Sequence, residues 1–322
     1  EQNVALENKQ QVEILKGISA IQSGMSTPGG VVNYVTKRPK DIRSVTVGAD
    51  SEGGYRIATD LGGLLGEQQQ LGYRINLANE EIHPYVEHAN GRRLFGSVAL
   101  DWKISDRSQL EFDLESQHQR QRSVPGYQLL GGNAVPSGVK WDRLLGYQSW
   151  SKPVSSDSLN TGLKYTYQIN DNWTSHLSAS QSRVVVDDYS SFAWGCYSES
   201  CQTQSNTFDP NGNYDIYDFR NPDDSYLTNQ FKAGINGKFN TGTWQHNLSA
   251  ELSHTAKRHS QYDAINEMIG SGNIYQDSIA YQPTDKRLAN HYKSLESQQT
   301  ALTLIDQIDF NTAWSVLAGG KL

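Results

Sequence analysis

"RRLFGSVALDWKI" (residues 92–104) alternates apolar and polar side chains along its whole length. Leu100 and Trp102 fall at even positions, whereas Arg93 and Asp101 fall at odd positions. Side chains that alternate with a period of two lie on opposite faces of a β-strand. The stretch therefore predicts a strand with one apolar face and one polar face.

The amino-acid composition indicates which class of protein contains these strands. Among 322 residues only 36% are hydrophobic and the mean hydropathy is −0.64, yet there are 17 Tyr and 7 Trp. A soluble protein of this size normally has more apolar residues for its core, and a disordered chain has fewer aromatic ones. A large β-barrel with a polar interior accounts for both facts, because only alternate strand residues face the lipid.

The same alternation recurs along most of the chain, and it predicts eleven strands. Several match or exceed the roughly 9–11 residues that a tilted strand needs to cross a bilayer. The predicted strands are about 44–50, 54–64, 71–81, 92–104, 108–120, 158–169, 173–189, 226–239, 244–262, 294–310 and 314–322.

The connections between these strands differ on the two sides of the sheet. Every even-numbered connection is short, whereas most odd-numbered ones are long: 82–91, 121–157, 190–225 and 263–293. This asymmetry is typical of outer-membrane barrels, with the short turns on the periplasmic side. Bacterial single-chain barrels have an even number of strands, so eleven strands lead us to expect a fragment.

Four tryptophans lie within a few residues of the short turns, namely Trp102, Trp173, Trp244 and Trp314. An indole ring at this level is typical of the lipid interface, where its body is apolar and its N–H is hydrated. The alternative is aromatic packing at the hairpin ends of a soluble sheet.

Charge and motifs exclude several functions. The net charge of −7 argues against a nucleic-acid partner, and no run of 18 apolar residues predicts a membrane helix, although that test does not detect membrane strands. No nucleophile–base pair and no metal-binding spacing stand out, so we expect a protein that is not an enzyme and that has no metal site.

The two cysteines, Cys196 and Cys201, lie in the polar segment "WGCYSESC". Because no other cysteine is available, a local disulfide formed in an oxidising compartment is the favoured interpretation. A pair of free thiols is the alternative. A zinc site is disfavoured because two further ligands at suitable spacing are missing.

Residues 12–40 differ from the rest of the chain and resemble the end of the plug domain of TonB-dependent outer-membrane receptors. The ending "VTKRP" is most similar to the ferric-siderophore branch of that family. The matching residues are Val12, Glu13, Leu15, Lys16, Gly17, Pro28, Gly29, Gly30, Val31, Asn33, Val35, Thr36, Lys37, Arg38 and Pro39.

The resemblance implies an all-β chain that combines two parts of a receptor. In this family a plug fills a barrel of 22 strands. We therefore expect residues 1–41 to be the C-terminal part of a plug domain. Residues 42–322 would be the N-terminal half of a transmembrane antiparallel β-barrel, with about 11 of its 22 strands.

The family also implies a function. It predicts a receptor in the bacterial outer membrane, a monomer among membrane lipids, that binds a ferric siderophore and imports it with energy from TonB. The ligand is the ferric chelate, and no cofactor is expected. TonB would act through an N-terminal segment absent here, so we do not expect these residues to transport alone. The alternatives are a receptor for haem, cobalamin or a sugar, and a barrel without transport, such as an adhesin.

Candidate ligand contacts come from the same resemblance. Residues 191–201 are similar to a loop of the ferrichrome receptor in which aromatic residues precede a local disulfide, which suggests Phe192 and Trp194. Residues 124–132 resemble an earlier aromatic loop and suggest Tyr127. Ser23 stands where the family often has a tyrosine. For each aromatic residue, packing within the loop is the alternative role.

A basic cluster closes the plug-like segment. Lys37, Arg38 and Lys40 fall where the chain would pass from plug to barrel wall. We expect them to pair with carboxylates on the polar strand faces, and a solvated basic turn is the alternative. The candidate carboxylates are Asp60, Asp101, Glu111 and Asp113.

Overall fold

The structure, a computed structural model, describes residues 4–16 and 30–322. All secondary-structure elements within those residues are β-strands. No helix long and apolar enough to cross a membrane is found in this part of the chain. The strands are β1 (Lys9–Leu15), β2 (Val31–Thr36), β3 (Ile42–Ala49), β4 (Tyr55–Leu65), β5 (Leu71–Ile82), β6 (Gly91–Ser105), β7 (Ser108–Gln121), β8 (Val154–Asn170), β9 (Trp173–Trp194), β10 (Asn213–Thr241), β11 (Trp244–Gln261), β12 (Ile265–Asn273), β13 (Tyr292–Asp309) and β14 (Ser315–Lys321).

The strands form two sheets. Strands β1 and β2 pair antiparallel as a two-stranded sheet, here called the small sheet. The large sheet, here called the wall, runs from β3 to β11 in sequence order and continues through β13 and β14, with every neighbouring pair antiparallel. Eleven strands lie on this path, so the predicted number is confirmed for the described residues. Strand β12 lies off the path and pairs with β10.

The two faces of the wall have opposite character. On the face toward residues 4–9, Phe95 is only 1% exposed and packs in a cluster with Ala5, Ala58 and Ala78. On the other face the neighbouring Leu94 is 60% exposed, and Trp102 is also exposed. Apolar side chains along an outer face are stable in lipid but costly in water. We call the first face luminal and the second face outer.

The lengths of the connections agree with the prediction. The turns between β6 and β7, β8 and β9, and β10 and β11 each contain only two residues. On the opposite side, β7 and β8 are joined by residues 122–153, and β9 and β10 by residues 195–212. The long connections lie together at one end of the wall, which we call the mouth.

The predicted connection 190–225 was too long, because both flanking strands extend into it. Strand β9 continues to residue 194, and β10 begins at residue 213. Pro222 and Asp223 lie within β10 and interrupt its regular pairing. In the structure these two residues oppose Asp187 alone, between the pairs Asn221–Asp188 and Asp224–Val186, and so form a β-bulge. Proline is tolerated there because a bulge leaves a backbone N–H unpaired.

The predicted connection 263–293 also contains a strand. Strand β12 pairs with residues 213–220 of β10. Strand β11 pairs with the remainder of β10, from residue 225 to residue 241. Its sequence, "INEMIGSGN", lacks clear alternation because glycines stand where large side chains were expected. Aromatic rings cover them, since a Cβ on Gly270 would lie 2.2 Å from the Tyr281 ring. A strand that is packed in this way has no recognisable sequence pattern.

Candidate luminal contacts and ligand-binding mouth

The basic cluster after β2 is held by carboxylates of the wall. The Lys37 ammonium lies 2.9 Å from Asp60, and the Arg38 guanidinium lies 2.8 Å from Asp113 and forms an ion pair with Asp101. The predicted pairing is therefore confirmed for Lys37 and Arg38. Lys40 is exposed and has no ion pair within the described part of the chain.

Asp60 on β4 is shared by two cations. Besides Lys37 it accepts hydrogen bonds from Arg74 of β5, with N–O distances of 2.5 and 2.7 Å. The Arg74 side chain is only 3% exposed, and its Nη1 also donates to the backbone carbonyl of Arg38. Because a buried guanidinium needs a counter-charge, Asp60 joins the chain after β2 to two strands of the wall.

Glu7 forms a second ion-pair contact between the N-terminal residues and the wall. Its carboxylate lies 2.5 Å from Arg93 of β6 and 2.9 Å from Arg56 of β4, and its side chain is 4% exposed. Burial alone would raise the pKa of Glu7, but the hydrogen bond and charge of Arg93, together with the charge of Arg56, outweigh it. The pKa therefore lies below its ordinary value of 4.5. Residues 4–9 are thus anchored to the wall by a charged contact in which the Glu7 carboxylate is buried.

A third contact joins residues 8–9 to β7 and β8. Lys9 forms an ion pair with Glu115 of β7, and Asn8 donates to the same carboxylate over 2.7 Å. The second oxygen of Glu115 accepts from Asn160 of β8 at 3.1 Å. These residues border a cavity of about 400 Å³ between the small sheet and the wall, which Ser182 of β9 also lines.

The bulge in β10 decides which side chains face the lumen at the mouth. Strand β9 is uninterrupted, so residues separated from Ser182 by an even number share its luminal face. Phe192 and Trp194 satisfy this condition. On β10 the extra residue shifts the alternation by one, which brings Tyr217 and Phe219 to the same face.

The structure brings the luminal aromatic residues into contact. The Phe192 ring stacks on Tyr217, with centroids 5.7 Å apart, and meets Phe219 edge-on at 6.2 Å. Trp194 lies two residues further along β9 and is 49% exposed. Tyr217 and Phe219 were missed in the sequence analysis because they lie in the segment predicted as a loop. The concentration of aromatic residues in "YDIYDF" (214–219) was the available signal.

Tyr127 lies elsewhere. It packs against the buried cluster that includes Ala193 and Ile216, which project from the opposite face of β9 and β10. Its hydroxyl donates to the carbonyl of Lys140 over 2.7 Å, its ring meets Trp141 edge-on, and burial raises its pKa. Tyr127 therefore does not join Phe192 and Trp194, and these contacts match the alternative role of loop packing.

Ser23 lies outside the described residues, as does the part of the plug-like motif between residues 17 and 29.

The two cysteines form a disulfide, with Cα atoms 5.7 Å apart. The loop that it closes folds over Asp215 of β10, which is fully buried. Asp215 accepts hydrogen bonds from the amide of Tyr197 at 2.5 Å and the hydroxyl of Ser198 at 2.6 Å. The two sulfurs lie near the Asp215 carboxylate, but oxidised sulfurs are not thiolate ligands, so this grouping is a structural support of the mouth.

The fold and the charged lumen together define a class of protein: a transmembrane β-barrel wall whose interior carries a small sheet held by ion pairs. Comparisons with known proteins agree with this class. No family model matches the chain.

Similar sequences are receptors. The chain is 28% identical over 96% of its length to the metal-pseudopaline receptor CntO of Pseudomonas aeruginosa, of which it covers 42%. It is 29% identical over 54% of its length to the ferrichrome receptor FcuA of Yersinia enterocolitica, of which it covers 24%. The chain thus spans less than half the length of the curated relatives it matches.

Similar structures lead to the same class. The crystal structure of the ferric-catecholate import receptor Fiu from Escherichia coli superimposes with a TM-score of 0.80 at 20% sequence identity, over 98% of this chain and 45% of that one. The resemblance to TonB-dependent siderophore receptors is therefore confirmed, as are the barrel-and-plug fold and the location in the outer membrane. The relatives are named as receptors, which agrees with the expectation of a protein that is not an enzyme.

Proposed function

We propose that the chain is part of a TonB-dependent receptor that binds a ferric siderophore at its outer face and imports it. In this proposal residues 1–41 belong to the plug domain and residues 42–322 to the barrel. The observation that carries it is the similarity, over most of the chain, to receptors named for a metal-pseudopaline complex and for catecholate siderophores. TonB would act on the plug, and the ion pairs that hold residues 4–9 and 37–38 to the wall would resist its movement.

The aromatic residues on the luminal face of the mouth support binding of a bulky chelate. The rings of Phe192, Tyr217 and Phe219 form one contact group, and Trp194 extends it along β9. Aromatic rings offer a large apolar surface at little cost in conformational entropy, which suits a ligand with an organic shell around its metal. We propose Phe192 and Trp194 as ligand contacts, with Tyr127 and Ser23 as further candidates.

Tryptophan fluorescence of the purified full-length receptor tests this proposal. Ferric hydroxamate, catecholate and carboxylate siderophores are titrated separately, along with haem and cobalamin. We expect saturable quenching at sub-micromolar concentration by one ferric chelate. Trp194→Ala should weaken that binding about tenfold or more, because truncating a central aromatic contact commonly costs 1–2 kcal/mol or more.

Trp102→Phe is the matched control, since it removes an exposed indole at the opposite end of the wall. It should leave the dissociation constant unchanged. Quenching by none of the ferric chelates, with quenching by haem or cobalamin, would reject the siderophore in favour of that ligand. Unchanged affinity in Trp194→Ala would reject the assignment of this contact.

A second candidate ligand is a metallophore that carries a metal other than iron, because one relative is named as a receptor for a metal-pseudopaline complex. Titrating one metallophore loaded with Fe³⁺ or with a divalent metal separates the two. Tighter binding of the divalent complex would favour this second candidate.

A further inference from the structure

Asp188 lies on the luminal face of the wall, directly below the aromatic contact group of the mouth. It is separated from Ser182 by an even number of residues on the uninterrupted β9, so the two side chains share the luminal face. Ser190 pairs with Phe219 of the aromatic group, and Asp188 pairs with Asn221 one step lower. Because two residues of a strand span about 7 Å, the carboxylate lies close beneath the proposed ligand.

The partners of this carboxylate are neutral. The backbone amide and the hydroxyl of Ser190 favour its charged form, and its Oδ1 atom has no hydrogen-bond partner in the described structure. Rotation of the Asn221 amide would let that side chain donate to Asp188, but it would add no positive charge. No ion pair among residues 4–16 and 30–322 includes Asp188. The negative charge of Asp188 is therefore not compensated by these residues.

The neighbouring carboxylates at the bulge differ from Asp188. Asp224 is also luminal, but its Oδ1 lies 2.5 Å from Nε2 of His259. Asp187 faces outward, because it is adjacent to Asp188 on the strand, and it accepts the backbone amide of Asp223 at 2.9 Å. Asp188 thus differs from both in directing an unpaired charge toward the lumen.

The luminal lysines of β8 to β11 lie lower in the wall. Lys257 lies in the cross-strand row of Ser182, and Lys164 and Lys232 share a row that is lower still. The separation between Ser182 and Asp188 corresponds to about 20 Å along β9, which exceeds two Debye lengths at physiological salt. These lysines therefore do not neutralise Asp188, and the field beside the aromatic group is negative.

We propose that Asp188 selects against polyanionic ferric chelates, so that this mouth accepts neutral or positively charged ones. The inference rests on the proposed function, because it assigns a class of chelate to the same site. Three catecholates around Fe³⁺ leave three negative charges on the complex, whereas three hydroxamates leave none. A chelate seated on the aromatic group would lie roughly 10 Å from the carboxylate, a distance at which charges repel without direct contact.

Isothermal titration calorimetry of the full-length receptor in dodecyl maltoside micelles tests this inference. The two probes are a hexadentate trihydroxamate and a hexadentate tricatecholate, each loaded with Fe³⁺. Asp188→Asn should strengthen binding of the tricatecholate about tenfold and change binding of the trihydroxamate less than about twofold, because only the first complex is charged. Added salt should strengthen tricatecholate binding to the wild type more than to Asp188→Asn, since ions screen the repulsion.

Asp171→Asn is the charge-matched control, since Asp171 is exposed in the short turn between β8 and β9 at the other end of the wall. It should change the affinity for neither probe, and Asp188→Glu, which keeps the charge, should keep the discrimination.

Two results would overturn the inference and leave the proposed function in place, provided that heat-modifiable migration shows an intact barrel. One is an unchanged affinity of Asp188→Asn for the tricatecholate. The other is binding of the trihydroxamate alone by both the wild type and Asp188→Asn. Failure of both probes to bind the wild type or any variant would instead reject the proposed function, and this inference with it.

Discussion

Single carboxylates connect the small sheet to the wall. Glu7 and Asp60 each accept hydrogen bonds from two cations that come from different elements, and both carboxylates are largely shielded from water. A buried charge that loses one partner is costly, because the remaining charge stays desolvated. The strength of the contact between plug-like segment and wall therefore rests on few residues.

Glu7→Gln in the full-length receptor should weaken this contact at pH 7. A hydrogen bond to a charged group contributes about 2 kcal/mol, so we expect hydrogen-exchange protection of residues 9–15 to fall about 30-fold. Because the folded-state pKa of Glu7 lies below 4.5, its contribution is fully present above pH 4.5 and is lost as the pH falls through the folded-state pKa. Protection in the two proteins should then converge, after correction for intrinsic exchange rates.

Glu13→Gln is the control for this prediction, because Glu13 is an exposed carboxylate on β1 whose partners among the described residues are Asn33 and Gln11. It should change protection little at any pH. A pH-independent difference between wild type and Glu7→Gln would show that the charge of Glu7 is not what holds the segment.

The bulge in β10 acts at the scale of the strand. One extra residue between Asn221 and Asp224 exchanges the two faces of everything N-terminal to it on β10. Without it, Tyr217 and Phe219 would leave the luminal face. Tyr214 and Ile216, each 1% exposed, would lose the cluster in which they are buried.

Deleting Pro222 should therefore disrupt the sheet at the mouth while leaving the lower wall intact. We expect hydrogen-exchange protection of residues 265–273 to fall about 100-fold or more, because several buried side chains are displaced. Protection in the lower part of β11 should stay unchanged. Asp223→Gly is the control, since it keeps the bulge and glycine readily adopts the φ of 50° found there. Full protection of residues 265–273 in the deletion variant would contradict the proposed role of the bulge.

At the scale of the whole molecule, two exposed tryptophans lie in different surroundings. Trp102 is 46% exposed on the outer face near the short turns, and Trp141 is 54% exposed in the long connection at the mouth. Their exposed fractions are similar, but the outer-membrane location assigns lipid to the first and water to the second.

Acyl-brominated phosphatidylcholine vesicles distinguish these surroundings, because bromine quenches only indoles that it contacts. In the full-length receptor, Trp102→Phe should reduce the quenchable share of the fluorescence by about one tryptophan's contribution, since Trp102 lies at the lipid interface. Trp141→Phe is the matched control and should leave that share unchanged. A larger loss in Trp141→Phe than in Trp102→Phe would contradict the orientation of the barrel.

Much of the wall was predictable because its strands carry a local signal. A strand between lipid and a polar lumen must alternate, so Leu94, Leu100 and Trp102 revealed both the strand and its faces without any knowledge of their neighbours. The basic cluster was predictable for a related reason. Lys37 and Arg38 lie at the end of the plug-like motif, and carboxylates on polar strand faces were the available partners.

The arrangement of strands and aromatic side chains at the mouth depends on tertiary contacts. The bulge at Pro222, the strand β12 and the separation of Tyr127 from Phe192 depend on which segments pack across the ends of β9 and β10. Those contacts join residues that are far apart in the sequence, such as Arg220 with Ile265 and Asn213 with Asn273. Glycine and proline are common in loops but also occur in packed strands at bulges and close approaches, so these residue types alone do not distinguish the two. The sequence by itself therefore determined the barrel wall, its two faces and its luminal charges, since alternation is local. Only the tertiary structure decided which aromatic side chains meet at the mouth, because a shift of one residue exchanges the faces of a strand.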